Sequence, residues 1–195
     1  TNQKTNNFTS LFSQSSNSPL MFTNDALAKM RQETQTLKER GFDDNARMGR
    51  MLLGTYVPET GNTTGWATCN YLYMWKYRGT DVQDVQGGVR THNDANFIIY
   101  RVAEVMMMKA QAQVMLGNYR EAVELINKIR NRAGLGNYQD IDLTSPTADT
   151  QIAQLDELSL LEEILNQKEM EFIGEGKRWY DLLWLGRIDG GKYRD

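Results

Sequence analysis

Near the end of the chain, the run Glu169-Met170-Glu171-Phe172-Ile173-Gly174-Glu175-Gly176-Lys177-Arg178-Trp179-Tyr180-Asp181-Leu182-Leu183 puts acids, a basic pair and an aromatic pair into one short helical passage. Such a density of opposite charges and rings predicts a packed ionic and aromatic junction. On a helix, Arg101 and Glu104 are neighbours at i,i+3, Glu171 and Glu175 at i,i+4, and Glu175 and Arg178 at i,i+3 if the helix continues, so these charges can satisfy one another. Together with Asp181 they are read as a structural ion network that holds helices together. Paired acids also serve general acid/base chemistry, which makes Glu169, Glu171 and Glu175 a rival carboxylate site. The rival is the weaker reading, because the same spacing supplies each acid with a cation.

The rest of the chain falls into segments of distinct character. Residues 1–18 are mostly Thr, Asn, Ser and Gln and read as a polar arm. Leu27, Met30 and Leu37 line one face of a helix from Asn24 to Arg40, with Asn24 as its cap and Gly41 as its stop. From 42 to 95 glycines break the chain, while Tyr71, Tyr73, Trp75 and Tyr77 alternate with Leu72, Met74 and Lys76, the period of a strand with one aromatic face. Helices are then expected from Phe97 to Leu116 and from Tyr119 to Arg132. Gly117 at the joint forces an antiparallel hairpin, in which Ala110 and Ala122 permit close approach. Residues 136–153 read as a surface loop, followed by helices from Asp156 to Ile173 and from Arg178 to Leu185.

Few residues are candidates for chemistry. His92 is the only histidine and lies in a polar loop, which excludes multi-histidine metal sites; Cys69 is the only cysteine and reads as a small buried hydrophobe. Met106, Met107, Met108 and Met115 are expected to fill core gaps rather than to bind copper or haem. No phosphate-cradling glycine loop is present, and no catalytic residue, metal or cofactor is expected. The aromatic region is more suggestive. Sugar rings stack their C–H faces on flat side chains, so Trp66, in a Gly/Thr-rich loop, is the first candidate for ligand contact, with Trp75 and Tyr73 behind it. Core packing is the competing use of that aromatic face.

Bulk properties narrow the classes further. With 22 basic and 25 acidic residues the net charge is -3, which gives no electrostatic reason to bind nucleic acid. A 40% hydrophobic content over 195 residues supports a real core. No stretch approaches the roughly 20 apolar residues of a membrane span.

Three segments, taken in order, resemble the SusD/RagB family: Tyr100-Arg101-Val102-Ala103-Glu104-Val105 followed by Ala110-Gln111-Ala112, then Asn127-Lys128-Ile129-Arg130-Asn131-Arg132-Ala133-Gly134-Leu135, then Glu171 to Leu182. Asp43-Asp44-Asn45-Ala46-Arg47 and Lys76-Tyr77 add weaker matches. Two departures stand out: Gln167-Lys168 where the family usually shows Glu-Arg, and Gln111 in place of a usual Glu. The resemblance implies a mainly α fold of tetratricopeptide-like helical hairpins with a loop-rich insertion carrying short β-strands. It implies one domain over 1–195, incomplete, with a polar arm, one helix and the aromatic region in 1–95 and a helical scaffold in 96–195. The chain is expected to be the C-terminal part of a longer protein, without the family's lipid-anchored cysteine, first helices and proline-rich end. The function implied is non-catalytic capture of oligosaccharides or other nutrients at the cell surface, with delivery to a SusC-like TonB-dependent outer-membrane transporter. An outer-membrane lipoprotein is implied, associated with the membrane only through its lipid anchor. Two rivals are kept: a tetratricopeptide-type adaptor that binds protein alone, and a hydrolase using the Glu cluster.

Overall fold

The computed structural model describes residues 23–41 and 98–188. The polar arm, the aromatic strand expected around 71–77, and Trp66, Tyr73, Trp75, Cys69 and His92 all lie outside the described residues. Contacts divide the chain into two compact units, Thr1–Phe97 and Ile98–Asp195.

In the first unit the described element is helix α1, Asn24–Glu39. Its cap is Thr23 rather than the expected Asn24: Thr23 is extended, with its side-chain oxygen accepting from the Ala26 amide at 3.2 Å, whereas Asn24 is already helical. Ala26, Met30 and Leu37 are buried along it. Asp25 in the first turn and Lys38 in the last complement the helix dipole.

The second unit is helical, with no strand among the described residues. It comprises α2 (Val102–Met115), α3 (Tyr119–Arg132), a 3-10 turn (Tyr138–Asp140), α4 (Ala148–Ile152), α5 (Glu157–Glu171) and α6 (Arg178–Ile188). Helix α2 begins five residues later than Phe97, because Arg101 is extended and its side chain is engaged elsewhere, as described below. It stops where Gly117 takes a left-handed φ of 77°, with the Asn118 amide donating to Gln113 O and the Gly117 amide to Val114 O. Those two bonds close orphan carbonyls that a helix end otherwise leaves open. Helix α3 ends in the same way at Gly134, φ 79°, through Leu135 N to Arg130 O and Gly134 N to Asn131 O.

Helices α2, α3 and α5 pack on one another, α4 and the 3-10 turn pack on α3, and α6 packs on α5. With only three residues joining them, α2 and α3 form an antiparallel pair. The core unites Met107, Ala110 and Val114 of α2 with Ala122, Ile126 and Ile129 of α3, Leu160 and Ile164 of α5, and Ile141 and Phe172 from the connections. Ala110 and Ala122 are both fully buried. The methionine run divides: Met107 is in the core and Met106 packs at its edge, while Met108 and Met115 are exposed. Successive helical residues turn by about 100° at 3.6 residues per turn, so three in a row cannot share one core face. The stretch 136–153 is likewise more ordered than a plain loop, holding the 3-10 turn and α4, with Tyr138, Ile141, Ala148 and Ile152 buried.

Candidate functional site

The chemistry-bearing side chains of the second unit converge where the lead-in to α2, the end of α5 and the start of α6 meet. Helix α5 ends at Glu171, and the chain then turns through Gly174 and Gly176, both with positive φ, before α6 begins at Arg178. The helix therefore does not continue from Glu171 to Arg178, and the turn folds Glu175 back beside Glu171.

Arg101 enters this turn from 70 residues earlier in the sequence. Its Nη1 donates to Glu171 Oε1 at 2.5 Å, its Nε and Nη2 to the two Glu175 oxygens at 3.2 and 3.0 Å, and its Nη2 also to the Glu171 carbonyl. The guanidinium lies over the Phe172 ring, 4.7 Å from the centroid. Burial alone would lower the Arg101 pKa, but the hydrogen bonds with Glu175 and Glu171 outweigh it and hold the pKa above its ordinary value. Arg132, from the last turn of α3, reaches the same Glu171 oxygen, so one carboxylate ties the guanidinium of the lead-in to that of α3. Glu171 and Glu175 side chains are only 3% and 0% exposed, which makes their pairing obligatory: an unpaired buried carboxylate costs several kcal/mol.

The remaining members of the expected network sit in neighbouring pairs. Glu104 meets Lys177 at 3.2 Å, Asp181 meets Lys168, and Arg178 meets Glu169 at 3.1 Å while donating to Leu165 O at 3.3 Å. Lys168 also donates to Gln111 Oε1 at 3.3 Å. Glu104 Oε2 and Asp181 Oδ2 are buried with no hydrogen-bond partner among the described residues. The sequence spacing predicts neighbours along one helix; the ion pairs of Arg101 instead bridge segments 70 and 74 residues apart.

Several polar residues in this region carried no role in the sequence reading. Lys168 is buried, and its only signal was a departure from the family pattern. Arg130 pairs with Glu163 at 2.8 Å and donates to Gly136 O at 3.1 Å, joining α3 to α5 and to its own following loop. Asn127 is buried in α3, where its carbonyl accepts from the Tyr138 amide at 2.7 Å and its amide donates to Ile141 O at 3.4 Å. It thereby pins the 3-10 turn to the helix. An apolar periodicity cannot announce such a residue.

As chemistry, this constellation is closed. Of the Glu cluster, Glu171 and Glu175 are buried against cations and Glu169 is half-buried beside Arg178, and among the described residues no group of three or more His, Cys, Asp or Glu side chains could hold a metal. No described helix is long and apolar enough to cross a membrane. Among the described residues of the unit, the exposed rings are Tyr100, Trp179 and Tyr180.

Comparison with known proteins places this geometry. SusD-like protein P38 of Formosa agariphila is 32% identical over 92 residues, which is 47% of this chain and 17% of that protein. SusD-like protein P25 of the same organism is 29% identical over 117 residues, 60% of this chain and 20% of the relative. The matched segments thus span a fifth or less of the lengths of these relatives. A crystal structure of a SusD superfamily protein from Bacteroides fragilis superposes with a TM-score of 0.53 at 20% identity, covering 93% of this chain and 38% of that one, a likeness of fold. A sequence profile of the SusD family matches residues 23–189, which takes in α1 and nearly all of the helical unit. The chain therefore belongs to the SusD family.

Proposed function

We propose that this chain is part of a non-catalytic, cell-surface nutrient-binding protein that captures oligosaccharides and passes them to a SusC-like TonB-dependent transporter. The observation that carries the reading is the family match over residues 23–189. Residues 1–195 form one family domain, its helical hairpins are of tetratricopeptide type, and the protein is held at the outer membrane by a lipid anchor. Arg101, Glu104, Glu171, Glu175, Arg178 and Asp181 serve the scaffold. The burial and pairing of Glu171 and Glu175 support that role over hydrolysis, since a general acid or base needs a proton-transfer path to substrate. Ligand contact falls to Trp66, with Trp75 and Tyr73 behind it, because stacking needs an accessible flat ring.

A protein-binding adaptor is the second reading, favoured by the exposed apolar side chains Val102, Val105, Met108 and Met115 along α2 and Leu116 just after it. A polysaccharide panel titrated against the complete protein, beside a pull-down of outer-membrane proteins, separates the two. Glycan binding together with recovery of a barrel protein supports the transporter-linked reading. Protein capture with no glycan bound supports the adaptor.

A further inference from the structure

The lead-in Ile98–Arg101 is the polypeptide through which residues 1–97 join the helical unit. It has little apolar reason to stay where it is: Ile99 and Tyr100 are 64% and 72% exposed, so their burial contributes weakly to its position. Ahead of Arg101, one ammonium group supplies two contacts to it and a third to the helix that follows. Lys177 Nζ donates to Ile99 O at 2.6 Å, lies 4.5 Å from the centroid of the Tyr100 ring, and pairs with Glu104 at 3.2 Å in the first turn of α2. Arg101 fastens the far end of the same lead-in to Glu171 and Glu175.

We propose that Lys177 is an electrostatic clasp that fixes the direction in which the preceding polypeptide enters the helical unit, and that removing its charge frees the lead-in without unfolding the helices. A single charge-assisted hydrogen bond and a cation–π contact are each modest, but they act on a segment with no other anchor before Arg101 among the described contacts. Local opening is therefore cheap relative to global unfolding once the charge is gone.

Native-state chymotrypsin cleavage after Tyr100, followed in the full chain by the mass of the fragment beginning at Arg101, reads that opening. Lys177→Met keeps most of the aliphatic stem and is expected to speed this cleavage by about tenfold, with Lys177→Arg close to the parent chain; because the single variant also leaves the buried Glu104 carboxylate without its cation and lowers the melting temperature, Lys177→Met combined with Glu104→Gln is expected to keep the acceleration relative to Glu104→Gln alone. Glu104→Gln, which preserves shape and removes one partner, is expected to give an intermediate rate. High salt should accelerate the parent chain and leave Lys177→Met unaffected. Equal cleavage rates in the parent and Lys177→Met overturn the proposal. So does an acceleration shared by every cleavage site in the combined Lys177→Met, Glu104→Gln variant relative to Glu104→Gln, which would make Lys177 a residue of global stability.

Discussion

Lys168 of α5 and Gln111 of α2 touch, the lysine ammonium donating to the Gln111 side-chain oxygen at 3.3 Å across 57 residues of sequence. On the other side of the ammonium stands Asp181 of α6, so Lys168 links three helices at a buried point.

Lys168→Met should leave Asp181 buried without its cation and destabilise the chain by about 3 kcal/mol or more. Gln111→Met keeps the ion pair and should cost about 1 kcal/mol, the net worth of an ordinary hydrogen bond. Combining Lys168→Met with Asp181→Leu should recover much of the first loss. Urea denaturation of the single and double variants measures the coupling, and a double variant less stable than the additive sum would contradict it.

Arg101→Met strips both Glu175 and one side of Glu171, and a loss of about 3–5 kcal/mol is expected. Arg101→Lys should recover only part of it, because a single ammonium cannot reproduce the forked donation to two carboxylates. Equal stability of the Lys variant and the parent in chemical denaturation would show that the fork is dispensable.

Asn127→Leu should cost about 2 kcal/mol, since the Tyr138 amide and the Ile141 carbonyl lose their side-chain partner inside the core. Amide exchange at Tyr138 should rise more than exchange in the middle of α2. Protection unchanged at Tyr138 would assign the turn's stability to packing alone.

Two exposed carboxylates give the chain an acid-side pH dependence. Hydrogen bonds from Ser159 hold Asp156, the cap of α5, below the usual carboxylate range, and bonds from Thr144 do the same for Asp142. Their folded-state pKa values are depressed, so their stabilisation is present above the unfolded value of about 3.9 and is lost as pH falls through the lower folded values. Asp156→Ala should lower the melting temperature at neutral pH, and its gap from the parent should shrink below about pH 3. A gap that stays constant with pH would mean that the charge contributes nothing.

Local pattern and long-range pairing were unequally legible in the sequence. Helix α3 runs from Tyr119 to Arg132, the span its apolar periodicity and the flanking glycines imply, and α5 is shorter than its expected span by one residue at the start and two at the end. The start of α2 was read too early because Phe97 to Arg101 extend the apolar pattern, whereas the extended Arg101 is set by carboxylates 70 and 74 residues away. Lys168 and Asn127 went unassigned for the same physical reason: satisfaction of a buried polar group depends on what folds against it, which no periodicity records. The short helix α4 escaped because five residues around Asp149 carry too little pattern to stand out from loop.

Arg178→Ala separates scaffold from ligand contact. Its pair with Glu169 is partly exposed, so a loss of about 1 kcal/mol and a lower melting temperature are expected, with ligand affinity unchanged. Lost binding at an unchanged melting temperature would move Arg178 into the ligand site.

Calorimetric titration of the complete protein with the best polysaccharide of a panel tests most directly where the nutrient is held. Trp66→Ala should bind that polysaccharide more weakly than the parent at the same melting temperature, while Arg178→Ala binds it with parental affinity. Full-strength binding by Trp66→Ala, or a panel in which the parent binds no polysaccharide, would contradict polysaccharide capture at Trp66.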